Sequence, residues 1–461
     1  VKSQLNNMLE IWEAAYLDAA SLCALSDTKS FRLDIERIRS SVTSRGLGFF
    51  TLDIPNLDAV LLQLLEEGAA HFQGHLCARK SKTDSRPRFL WDFWRRVCDA
   101  RGCLLSQPDP DAILAIRQLS CLFKKLEVKC SDSRIEASVG EYFEIEDSIP
   151  PPSLNWDDDH LDTSRNTSFQ RSFANDSPSL WDGSPREKFA DTGFLSRLDR
   201  VSRILVSELG TFDSMSEDSP ETGFFKHGPG AVSNLPGSGY KYLFPFWSEK
   251  LEGVFPFDWC SGSPLGSYPP SRQERPSRLF AVPKTAKGPR LIAMEPVEHQ
   301  WCQQKVKTWL DHAMKSSLIG KFFDPSNQML SQHLVAQASI DRSLSTIDLS
   351  SASDRVSCRH IEALLDSNKP LLIAAHATRT RWIEDGLTKR GFFKLRKFAS
   401  MGSALTFPMQ SIFFLCVALA SAGASNRSDI LHLVGKVRTF GDDIIIPNVA
   451  HNACANPDTG R

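Results

Sequence analysis

Asp442 and Asp443 stand side by side in Thr439-Phe440-Gly441-Asp442-Asp443-Ile444-Ile445-Ile446, and a third acid, Asp348, ends the run Leu344-Ser345-Thr346-Ile347. Carboxylates are hard oxygen donors of the kind that divalent cations such as Mg²⁺ prefer. Massing them without a cation is costly, because two unit charges 4 Å apart repel by about 4 kcal/mol at an effective dielectric near 20. Two Mg²⁺ ions would reverse that sign and provide the clamp used in in-line phosphoryl displacement. The competing account is a set of unrelated, solvated turn acids that never meet.

The elements that must position these acids are readable locally. Val437 and Thr439 belong to one expected strand and Ile444 to Ile446 to the next, so Gly441-Asp442 falls at a hairpin tip. Leu344 to Ile347 is an expected short strand that ends in Asp348. A small-residue turn follows, and from Val356 the pattern becomes helical, with Ile361, Leu364 and Leu365 on one face. Between the two acid sites lies Ser400-Met401-Gly402-Ser403-Ala404-Leu405-Thr406, a small loop that runs into the apolar segment Phe407 to Ala424. Gly402 permits close approach of another backbone or a ligand. The hydroxyls of Ser400, Ser403 and Thr406 are suited to reading a ribose.

In this order the three segments resemble motifs A, B and C of palm-type viral RNA-dependent RNA polymerases. The likeness narrows to the replicase β-subunits of levivirus-like positive-strand RNA bacteriophages. Asp348-Leu349-Ser350-Ser351-Ala352-Ser353-Asp354 is similar to that family's motif A. Val282-Pro283-Lys284-Thr285-Ala286-Lys287-Gly288-Pro289-Arg290 looks like its basic fingers motif, and His227-Gly228-Pro229-Gly230 like its Gly-Pro-Gly element. Phe440 stands where many relatives carry Tyr, and Ser403 where family members often have Asn.

The resemblance implies an α+β right-hand polymerase with fingers and a palm, the antiparallel palm sheet flanked by helices. Residues 1–220 would be a helix-rich region contributing to the fingers, 221–335 the fingers with the basic nucleotide-binding motif, and 336–461 the palm. The chain starts at Val1 and stops at Arg461 soon after the Asp-Asp hairpin, so it reads as a partial frame with the thumb missing. Asp348, Asp442 and Asp443 are the expected catalytic and metal-binding residues, holding two Mg²⁺ ions, with Mn²⁺ able to substitute. Arg278, Lys284, Lys287, Arg290, Asp354, Ser400, Gly402, Ser403 and Thr406 are the expected nucleotide-binding residues. The expected partners are template RNA, NTPs and, by resemblance, host elongation factors Tu and Ts and a ribosomal protein, in the cytoplasm of an infected bacterium. Two other readings stay open: a reverse transcriptase with the same chemistry, against which Gly441 argues, and a non-catalytic RNA-binding subunit.

Composition agrees without deciding. The 461 residues are 41% hydrophobic and 24% charged, as expected of a soluble globular protein, and long enough for two or three subdomains. The formal net charge of −1 excludes a global polyanion-binding signature. Basic residues are concentrated instead between Arg272 and Arg290 and again between Arg379 and Lys397, as candidate channel walls. The 11 cysteines lack paired spacing, which argues for free thiols rather than structural zinc. The apolar core of the Phe407 segment falls short of the about 20 residues a bilayer span requires. Leu5 to Leu25, Leu57 to Cys77 and Asp109 to Val128 carry helical spacing, the last starting at Pro108-Asp109. Ser131 to Pro220 is polar and reads as loops with a few short helices, including Phe194 to Leu209. The cluster Asp157-Asp158-Asp159-His160 reads as a surface loop.

Overall fold

A computed structural model describes residues 2–25, 29–162, 169, 192–233, 241–262 and 271–455. The chain forms two compact units, Val1–Ser138 with Ala281–Arg290, and Val139–Phe280 with Leu291–Arg461.

The first unit is helical. In Lys2–Leu22, the side chains of Met8, Trp12, Tyr16 and Ala19 recur at helical spacing and all are buried. Trp12 donates its indole hydrogen to the Leu119 carbonyl at 3.0 Å, tying this helix to Pro110–Cys121. That second helix starts where the sequence signals it, with the Asp109 carboxylate accepting from the Asp111 amide. The helix from Pro55 ends at Glu67, short of the expected Cys77, because Gly68 adopts φ +76° and closes it with a left-handed cap. Lys29–Arg45 is a helix not anticipated from sequence. Its Asp34 is fully buried, accepting from Tyr16 Oη, the Leu90 amide and Arg37.

Seven strands are present among the described residues: β1 (Ser277–Thr285), β2 (Gly288–Met294), β3 (Leu344–Asp348), β4 (Trp382–Asp385), β5 (Gly391–Lys394), β6 (Arg438–Phe440) and β7 (Asp443–Pro447). They form a four-stranded sheet in the order β2-β1-β4-β5 and a three-stranded sheet in the order β3-β7-β6. The first is mixed, since β1 runs parallel to β4; the second is antiparallel throughout. The architecture is α+β.

In the second unit, Thr406–Ser421 is apolar on every side and buried along nearly its whole length, as a helix without a polar face must be. It packs beneath the three-stranded sheet, where the Thr439 hydroxyl and the Gly441 amide donate to Ser411. Ile444 and Ile446 face this core, so the β-branched run that suits a strand also fixes which side of it is inward. Asp132–Ser148, which belongs to this unit from Val139 onward, is a 17-residue helix in a stretch where loops and a few short helices were expected. Val139, Tyr142, Phe143 and Glu146 form its buried stripe. Polar residues around that stripe, and an acid within it, hide the periodicity. Thr192–Ser207 matches the helix expected near Phe194.

All eleven cysteines are free thiols. Among the described residues no single helix is long and apolar enough to cross a membrane.

Candidate active site

The β6–β7 connection is a two-residue turn, Gly441-Asp442, with Gly441 at φ +66°. Only the first turn position carries a positive φ, the arrangement that requires glycine there. A Cβ on Gly441 would also lie 3.0 Å from the Phe407 ring and 3.2 Å from Gln410 Nε2. The Phe440 ring packs edge-on against Phe407 at 5.1 Å, so the residue next to the acids serves as an anchor.

Antiparallel pairing sets Asp348 directly opposite Asp443. The Leu349 amide donates to the Asp442 carbonyl at 3.3 Å, which makes Asp348 and Asp443 a non-hydrogen-bonded pair. Side chains of such pairs approach most closely and share one face of the sheet. Asp348, Asp442 and Asp443 are all exposed. Asp348 and Asp443 line a cleft of about 540 Å³ between the sheet and the helix Met329–Asp341. Arg438 lines it too, but its guanidinium is buried and donates to Ser331 Oγ at 3.2 Å.

Among the described residues no three Asp, Glu, His or Cys side chains are gathered into a ready metal cage. The donor chemistry nonetheless fits a hard divalent cation: oxygen ligands only, two of them on paired strands and a third on the adjoining turn.

Beyond Asp348 the chain turns through Ser351, a non-glycine residue at φ +52°, into the short helix Ala352–Arg355. The turn presents Asp354 to the ammonium of Lys397 at 2.9 Å. Ser357 and His360 then form a reciprocal cap that starts the helix Cys358–Leu364. His360 stacks on Phe413 at 4.9 Å, and burial pushes its pKa down to about 4, so it is a packing group.

The Gly402 loop is clamped onto β2. The Ala293 amide donates to the Met401 carbonyl at 2.7 Å, and Gly402 adopts φ +125°. Ser400 and Thr406 turn inward: Ser400 shares a 2.7 Å hydrogen bond with Tyr142 Oη, and Thr406 Oγ1 donates to the Ser400 carbonyl at 2.7 Å. Ser403 is half-buried, with its hydroxyl accepting from the Leu405 amide. Gln303 accepts from the Ala404 amide at 3.1 Å and donates to Glu295 and to the Thr378 carbonyl. Tyr142 and Gln303 were not readable as site residues, because each acts through partners far away in sequence; Lys397, expected in a channel wall, is instead fully buried against Asp354 and Glu146.

The basic residues divide. Lys284, Lys287 and Arg290 are exposed on the part of the β1–β2 hairpin that belongs to the first unit, and none of them forms an ion pair among the described residues. Arg278 is half-exposed and faces Glu384 at 3.4 Å. The second basic run is largely occupied internally. Arg379 is buried and donates to the carbonyls of Leu395, Lys397 and Phe398. Arg381 pairs with Glu274 and Asp159, and Lys394 with Asp157, which also accounts for the acidic loop. Lys389 and Arg390, at the β4–β5 turn, are exposed.

Residues 266–455 match the family described as RNA replicase, beta-chain. The chain is 33% identical over 175 residues to the RNA-directed RNA polymerase beta chain of Escherichia phage MS2, covering 37% of this chain and 28% of that relative. It is 33% identical over 171 residues to the protein of the same name from Enterobacteria phage GA, covering 37% and 29%. With the RNA-directed RNA polymerase subunit beta of Qbeta virus strain MX1 it shares 29% identity over 181 residues, covering 39% and 28%. In each case the chain spans less than a third of the relative's length. The matched region contains all three acids and the Gly402 loop.

Proposed function

From the match of residues 266–455 to the replicase beta-chains of RNA phages, we propose that this chain carries the catalytic region of an RNA-directed RNA polymerase. Its substrates would be a single-stranded RNA template and NTPs, in the cytoplasm of an infected bacterium. The observation that carries this reading is the pairing of Asp348 with Asp443, beside Asp442 on the adjoining turn. In right-hand terms, the three-stranded sheet and the Thr406–Ser421 helix would form the palm, and the β1–β2 hairpin part of the fingers.

Asp348 and Asp442 would hold two Mg²⁺ ions, with Asp443 as a further ligand and Mn²⁺ an acceptable replacement. Bound there, the ions supply activation of the primer 3′-hydroxyl and neutralisation of the triphosphate. The chain's own residues contribute placement and charge. Lys284, Lys287 and Arg290 suit phosphate oxygens, Arg290 best because its planar fork meets two at once. Gly402 brings a backbone loop close to its neighbours, and Ser403 and Asp354 are the candidates for reading the ribose. Ser400 and Thr406 would act by fixing that loop. Catalysis of this kind rests on positioning and electrostatics and needs no nucleophilic side chain. Host elongation factors Tu and Ts and a ribosomal protein would complete the enzyme.

The test is labelled NTP incorporation on an RNA template with Mg²⁺, by the complete polypeptide and its Asp442→Asn variant. Incorporation by the first but not the second supports the reading. Equal activity removes Asp442 from the site. Incorporation of dNTPs in preference to NTPs would favour a reverse transcriptase, and RNA binding without incorporation a binding subunit.

A further inference from the structure

Lys397 has no solvent exposure, yet it is an ammonium set among three groups from distant parts of the chain. Its Nζ lies 2.9 Å from Asp354, 3.2 Å from Glu146 and 3.4 Å from the centre of the Tyr142 ring. Tyr142 Oη in turn holds Ser400 Oγ at 2.7 Å. Backbone contacts run alongside. Residues Ser357 and Lys397 form an antiparallel bridge, Cys358 N donates to the Arg396 carbonyl, and Phe398 N donates to the Val356 carbonyl. Glu146 also accepts from the amides of Arg396 and Lys397.

Burying an ammonium with two carboxylates is a poor route to stability, since apolar residues of similar volume usually do as well or better. Such a network earns its place by fixing one arrangement. Burial alone would lower the Lys397 pKa, but Tyr142, Asp354 and Glu146 together push it up, so the cation is retained.

We propose that Lys397 is a positioning residue for ribonucleotide selection, locking Asp354 and, through Tyr142 and Ser400, the Gly402 loop into one rigid unit. This rests on the polymerase reading. Asp354 and the loop are the groups that would meet the ribose, and each has a side-chain partner outside its own segment, Lys397 for Asp354 and Tyr142 for Ser400. Asp354 sits on a single helical turn, and Ser400 sits at the mouth of a small-residue loop. A 2′-hydroxyl can be told from hydrogen only if its partners cannot drift, because discrimination depends on leaving a fixed polar group unpaired when the hydroxyl is missing.

The test compares ATP with dATP incorporation by the complete polypeptide, as the ratio of kcat/KM values, for wild type, Tyr142→Phe, Lys397→Met and Lys397→Arg. Tyr142→Phe keeps the ring under the ammonium and removes only the bond to Ser400. The ratio is expected to fall about 3- to 10-fold in Tyr142→Phe, the range one lost hydrogen bond allows. It should fall further in Lys397→Met and recover in part in Lys397→Arg. Loss of rate in these variants with an unchanged ratio would assign Lys397 a purely structural role and overturn the proposal. If Lys397→Met does not fold, Tyr142→Phe decides alone. The assay is run with bacterial host extract present; absence of NTP incorporation by wild type under that condition would overturn the polymerase reading, and this inference with it.

Discussion

The carbonyl oxygen of Ala293 lies 1.9 Å from where a Cβ on residue 402 would be, so the Gly402 loop and β2 fit together only because residue 402 has no side chain. At φ +125° the backbone there is also one that other residues rarely adopt. Gly402→Ala must therefore push the loop off β2. The expected result is a stability loss of about 1–3 kcal/mol and at least a tenfold fall in NTP incorporation. Thermal melting and a nucleotide titration check both, and a wild-type KM in the variant would show that the loop does not meet the nucleotide.

Asp348 and Asp443 face each other with like charge, an arrangement that costs stability when no cation is present. Asp348→Asn should therefore stabilise the fold in EDTA by about 0.2–1 kcal/mol, read as a higher unfolding midpoint, while incorporation drops by about 100-fold or more. Opposite signs for stability and activity mark a group kept for chemistry. A variant destabilised in EDTA would show that Asp348 supports the fold instead.

Asp34 gives a distinctive pH signature. Burial, only partly offset by Arg37, raises its pKa from 3.8 to about 6. A raised carboxyl binds its proton more tightly in the folded chain, so its contribution is fullest below pH 3.8 and is lost as pH rises through 6. Urea unfolding between pH 4 and 7 should show this slope, on the order of 2–3 kcal/mol, and Asp34→Asn should flatten it.

Glu274 works in the opposite direction. Burial alone would raise its pKa, but Lys250, His299 and Arg381 outweigh that and bring it down to about 2. Its contribution is present above pH 4.5 and is lost as pH falls toward 2. Glu274→Gln should remove that acid limb. It should also cost about 3–5 kcal/mol at neutral pH, because Lys250 stays buried without its counter-charge. Unfolding curves at pH 3 and pH 7 decide it.

Local chemistry was legible where it is self-contained. Gly441-Asp442 between two β-branched runs is a turn whatever surrounds it, and the Pro110 helix begins at Asp109 because its cap lies within the same few residues. The Asp132–Ser148 helix was missed because its apolar stripe is interrupted by Glu146, which only Lys397 and the 396–397 amides make tolerable. The acids, their order and the glycine loop were set by residue type and spacing alone. That Asp348 lies opposite Asp443, that Ser400 turns inward to Tyr142, and that Lys397 holds Asp354 were decided in three dimensions. Strand register and buried ion pairs are long-range choices, fixed by which faces the core can cover and which charges can find a partner.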